Sequence, residues 1–250
     1  MSADARQKVK TTQHAINCLI ACGAILAAGC NPADQPAPWA AKADRVEGPA
    51  RYTTNNGADW MALERGTILP EGSVVQTGLE GRPYVDLLLG DGAGKDRGGA
   101  KLPKADRDRV RLHEDTVLGI DQRTTMAAGT GFHVQTQLDL RKGHITGRVK
   151  QLEAGSLYEI RYAKGVAGLR APEVLYEMSW GKRPGNDESS AGCVMSLLSG
   201  DAVFVQTATN PTPTVTVISA GSTFNGLTQN LAPLSEAARK EISATVKAMY

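Results

Sequence analysis

With 250 residues, 41% of them hydrophobic and 22% charged, the chain has the make-up of folded globular material, which excludes a disordered or low-complexity protein. A formal net charge of +2 gives no reason to expect the strongly basic surface on which nucleic-acid binding rests. Aromatic residues make up 5% and glycines number 27, a balance that favours many short elements joined by tight turns over a few long helices.

Residues 1–14 are polar and net basic, and residues 15–29, AINCLIACGAILAAG, form an apolar run that stops at Cys30. A membrane-spanning helix needs about 20 apolar residues, so this run is short for one. A basic start, a short apolar middle and small residues at the end are the pattern of a secretory signal peptide, predicted over 1–29. The segment Leu26-Ala27-Ala28-Gly29-Cys30 resembles the bacterial lipobox, in which a small residue precedes an obligatory cysteine. That resemblance implies diacylglycerol on the Cys30 thiol, cleavage before Cys30 and acylation of the new amine. The mature chain would then be held by Cys30 on a bacterial membrane, facing the periplasm or the cell surface. The alternative is an ordinary signal peptide cut at the small residues, with Cys30 incidental. Loss of the leader removes Arg6, Lys8, Lys10 and Asp4, three of the 28 bases and one of the 26 acids, and leaves the body formally neutral. Cys18 and Cys22 go with it, so no internal disulfide framework is expected. Cys193, in AGCVMSLL, reads as a small buried hydrophobe.

Residues 30–43 are rich in Pro and Ala and lack periodicity, which predicts a semi-extended tether. A β domain is expected over 44–228. Its first strand, at 51–54, runs into Asn55-Asn56-Gly57, a preferred two-residue hairpin turn. The next, at 59–63, carries Trp60 as the expected inward anchor. Strands follow at 73–77 and 84–89, where Val85, Leu87 and Leu89 alternate with Tyr84, Asp86 and Leu88.

Residues 90–106 break the pattern. Their glycines lack the spacing of a phosphate loop or a dinucleotide fingerprint, and the segment lacks the acids of an EF-hand, so a loop is expected. Further strands are predicted at 107–112, 116–120, 134–140, 145–152, 158–162, 166–169 and 173–180. After a polar loop at 182–190 come 194–198, 202–206 and 214–219. The runs are short and bounded by Gly, Pro, Asn or Asp, which predicts an all-β fold: a short antiparallel or solenoid-like sandwich of many short strands. The segment 229–250 is the exception. Ser235 is a credible N-cap with Glu236 behind it, and Ala238, Ile242, Val246 and Met249 share one helical face, so one helix is expected over about 235–248, packed on the β domain.

Several pieces together resemble the FecR-type domain: RVEG at 45–48, WMALERG at 60–66, LPEGSVVQTG at 69–78 and VDLLLGDG at 85–92. LDLRKG at 138–143, VAGLR at 166–170 and VTVISAG at 215–221 complete the set. The resemblance implies an all-β periplasmic module. Named members relay siderophore signals to extracytoplasmic sigma factors through a cytoplasmic region ahead of a membrane helix. Here only residues 1–14 precede the apolar run, and Ala171-Pro172 stands where that family has Gly-Thr.

Catalytic chemistry finds little footing in the sequence. His14 lies in the leader, and His113, His133 and His144 share no metal-ligand spacing. His113-Glu114-Asp115 reads as a polar turn. No Gly-x-Ser-x-Gly elbow occurs. The expectation is a non-enzyme without cofactor or metal that binds an envelope protein or polysaccharide, and no nucleic acid. The alternative is a module that senses a ligand or partner at the membrane.

Overall fold

The structure, a computed structural model, describes residues 39–54, 57–90, 108–128, 131–150, 152, 154–181, 192–207 and 212–250. The predicted signal peptide, Cys30, the loops at 91–106 and 182–190, and Asn55-Asn56 lie outside the described residues.

The chain is all-β, with a single C-terminal helix. Its first strands are β1 (Trp39–Glu47), β2 (Ala50–Thr53), β3 (Met61–Ala62), β4 (Ile68–Pro70), β5 (Ser73–Thr77) and β6 (Tyr84–Leu89). Then come β7 (Arg109–Leu112), β8 (Val117–Ala128), β9 (Gly131–Lys150), β10 (Leu157–Tyr162), β11 (Gly165–Gly181) and β12 (Gly192–Gln206). The chain closes with β13 (Thr214–Ile218), β14 (Ser222–Asn225), β15 (Asn230–Pro233) and α1 (Glu236–Ala248). All belong to one mixed, open sheet in which β9 and β10 run parallel while the other pairs are antiparallel.

The strands are not uniformly short, and this corrects the sequence reading. The runs expected at 134–140 and 145–152 lie on one strand, β9; likewise 166–169 and 173–180 lie on β11, and 194–198 and 202–206 on β12. The breakers between them are bends instead of ends. At Gly143 (φ +100) β9 passes from β8, whose pairing reaches Lys142, to β11, whose pairing begins at Gly143. A Cβ there would stand 2.5 Å from the Thr116 backbone, so only glycine fits. In β11 the register jumps between Arg170 and Leu175, around Ala171 at φ +134.

These bends carry β9, β11 and β12 between two limbs of the sheet. One limb runs β3-β2-β5-β8-β9-β10-β11-β12-β13 through the first halves of β9 and β11 and the second half of β12. The other runs β4-β1-β6-β7-β9-β11-β12-β14-β15 through the remaining halves. The limbs face each other across one core. Phe204 of the first meets Phe224 of the second edge-on at 5.1 Å, and Tyr162 meets Trp180 at 5.3 Å. The Tyr158 and Tyr176 hydroxyls hydrogen-bond across the same interior at 3.1 Å. Buried tyrosines need such partners, because an unpaired hydroxyl in apolar surroundings costs about 1–3 kcal/mol.

Four further expectations are corrected. The tether does not extend to residue 43: β1 begins at Trp39, and Ala40, Ala41 and Ala43 are fully buried between β4 and β6, where small side chains suit close strand packing. The sheet also runs past residue 228, since β15 pairs with β14. Trp60 is no inward anchor; it is half-buried with the Arg51 guanidinium 4.6 Å over its ring, while Leu63 enters the core. Strand β2 does pair with β3, but with Tyr52 opposite Met61, so the connection is longer than a two-residue turn.

The helix forms as expected. Ser235 Oγ accepts from the Ala238 N–H at 3.2 Å, and Glu236 sits in the first turn, where the helix dipole favours negative charge. Leu234, Ile242, Val246 and Met249 are buried against Leu175 and Leu198, on the outward face of the second limb.

Candidate functional site

Beside the helix, on that outward face, the side chains are polar although several are buried. Cross-strand register explains the row. Asp86 on β6 lies opposite Arg111 on β7, Arg111 opposite Thr146 on β9, and Thr146 opposite Glu177 on β11. Side chains two residues apart share a face, so His113 stands next to Arg111, and His144 next to Thr146. The row continues the charge pairing expected of directly opposed residues. Arg111 donates through Nε and Nη2 to Asp86 Oδ1 and Oδ2 at 2.6 and 2.8 Å, a bidentate fork, with its guanidinium 4.2 Å over the Tyr84 ring. Asp86 is 1% exposed and Arg111 8%, so this ion pair is effectively internal.

The two histidines meet at the end of the row. The His113 N–H donates to the His144 carbonyl at 3.0 Å, and the imidazoles stack with centroids 4.0 Å apart and planes 11° from parallel. His113 Nε2 is 2.9 Å from Thr146 Oγ1. His144 Nε2 stands 3.0 Å from Glu177 Oε1, close enough for an ion pair but without the alignment of a hydrogen bond.

Over these residues opens a cleft of about 290 Å³ between the sheet and α1. Tyr84, Arg111, His113 and His144 form its floor, and Arg82, Glu114 and Glu241 its rim. Arg82 and Glu241 are exposed, and Arg82 holds a left-handed backbone at φ +53 that is uncommon for a side chain of this size. The cleft thus offers cationic and imidazole donors, two carboxylates and an aromatic ring in one concave surface. Such a lining fits a polar partner held by several hydrogen bonds. Among the described residues, no serine or cysteine lines it. Among the described residues no group of three or more His, Cys, Asp or Glu side chains is placed to hold a metal ion.

The other residues singled out in the sequence lie apart. His133, on β9, packs against Gly155 and is not among the cleft residues. Cys193, opposite Trp180 in the sheet, is 2% exposed, and burial pushes its thiol well up, as suits a small core residue and not a nucleophile. His113-Glu114-Asp115 is a turn, as read, but its histidine belongs to the cleft. Cys30 lies outside the described residues. Among those described, no helix is long and apolar enough to cross a membrane. The sequence offers no motif for the His113–His144 pair, since only the β7–β9 register joins them.

No protein-family model matches the chain, and no curated protein matches it.

Proposed function

We propose that the chain is an exported bacterial lipoprotein, anchored through Cys30, whose FecR-like β body presents the His113–His144 cleft to another component of the cell envelope. The partner is a protein or an envelope polymer, and the chain binds it without catalysing a reaction. The observation that carries the binding part is the cleft itself: a concave, solvent-open surface whose rim charges, Arg82 and Glu241, are exposed. The anchor rests on Leu26-Ala27-Ala28-Gly29-Cys30 closing an apolar run too short to span a bilayer. The FecR-like pieces support the class of body. LPEGSVVQTG covers most of β4, all of β5 and the turn between them, VDLLLG covers most of β6 and its closing glycine, and VTVI ends β13.

Crosslinking in intact cells, followed by mass spectrometry, tests the reading. The chain is expected to recover one envelope component, and the double substitution Arg82→Glu with Glu241→Lys is expected to lose it while the protein stays folded. Recovery unchanged by that substitution would remove the cleft from the account. Recovery of a sigma-factor regulator or an outer-membrane receptor would replace the assembly role with a sensing one.

A further inference from the structure

We infer that the chain associates with a second copy of itself by antiparallel pairing of β13 with β13. Two strands stand at the ends of each limb. Strand β3 has two residues, while β4 and β15 end in Pro70 and Pro233, which lack a backbone N–H and blunt an edge. Strand β13 carries no such protection. Its sequence, Thr214-Val215-Thr216-Val217-Ile218, has no charge and no proline, and its pairing with β12 runs without a register shift. Among the described residues β12 is its sole strand partner, and none of them pairs with its other edge.

The side chains point the same way. Val215 and Val217 are 61% and 60% exposed. Val215 lies opposite Val205, which lies opposite Val166, and Val217 lies opposite Val203. Five valines therefore form an apolar patch on the outward face of the first limb, reaching this edge of β13. A soluble surface seldom carries so regular a patch at a bare strand edge without covering it.

A second copy fits this edge by symmetry. In a two-fold antiparallel pair centred on Thr216, Val215 faces Val217 of the second copy and Val217 faces its Val215. Every cross-strand pair then joins β-branched residues, which favour such contacts, and no like charges meet. The contact is isologous, so it closes as a dimer and does not propagate as a fibre through this edge. Five residues a side make a small contact, so the pairing is weak and concentration-dependent.

Light scattering on the full chain in excess detergent, resolving the mass of the protein part, tests this. The wild type is expected to move from one to two chain masses as concentration rises to about 0.1 mM, a range that saturates a micromolar Kd. Val215→Lys with Val217→Lys places like charges opposite each other and should hold the protein at one chain mass. Val215→Glu with Val217→Lys sets opposite charges across the same axis and should restore the dimer. Circular dichroism on each variant shows that the fold is intact. A wild type that stays at one chain mass would overturn the inference. So would a dimer that survives the double lysine variant, or a Glu/Lys variant that is folded but monomeric.

Discussion

His113 and His144, 31 positions apart in the chain, lie face to face with ring centroids 4.0 Å apart. The contact follows from the antiparallel pairing of β7 with β9, where Leu112 faces Ile145 and the next residues outward are these two. The stack should couple the two side chains energetically. A double-mutant cycle with His113→Ala and His144→Ala is expected to give a coupling of about 1 kcal/mol in chemical denaturation, in the range of aromatic pairs. Additive effects would mean that the rings merely share a surface.

Beneath them, the Asp86–Arg111 pair is a burial problem solved by geometry. Removing one partner leaves the other charged and out of water. Asp86→Ala should destabilise by about 3–5 kcal/mol, seen as a lower denaturation midpoint. Replacing both residues with methionine should cost much less, because no charge is then stranded.

Two backbone positions should respond in opposite directions. A Cβ at Gly147 would stand 2.2 Å from the Tyr176 ring, whose hydroxyl holds Tyr158, so Gly147→Ala is expected to lose about 1–3 kcal/mol. Ala171 holds φ +134 ahead of Pro172, a conformation open to glycine and strained for alanine. Ala171→Gly should therefore stabilise, by about 1 kcal/mol in the same measurement.

Acid sensitivity should carry a small contribution from Asp44. The Arg109 guanidinium, 2.5 Å away, holds its carboxyl below the ordinary carboxylate range. A depressed carboxylate adds stability that is present above its unfolded pKa and is lost as pH falls through the lower folded value. Asp44→Asn should therefore flatten the acid end of the stability–pH curve slightly. The effect is small because Asp44 is 37% exposed and solvent screens the pair.

Local signals were legible wherever the chain itself decides the outcome. Ser235 caps the helix and Ile242 and Val246 dock it, as periodicity and capping chemistry predict. Val85, Leu87 and Leu89 point into the core, as their alternation predicts. Asp86 and Leu88 are buried too, which alternation alone cannot foresee, since other parts of the fold cover that face. Gly143 and Ala171-Pro172 read as strand ends because a breaker in sequence looks the same whether a strand stops or bends. Ala40 to Ala43 read as tether because alanine carries no strand signal of its own; β4 and β6 on either side place it in the sheet. The cleft was illegible for the same reason as the His113–His144 stack: its residues come from four separate stretches of chain, joined by register.

The mature N-terminus tests the proposed anchor at Cys30 most directly. Mass spectrometry of the N-terminal peptide from bacterial cells should find Cys30 as the first residue, bearing diacylglycerol and an acylated amine. Cys30→Ser should leave the precursor uncut and without lipid. An N-terminus at any other residue, or an unmodified Cys30 in the mature protein, would contradict the account.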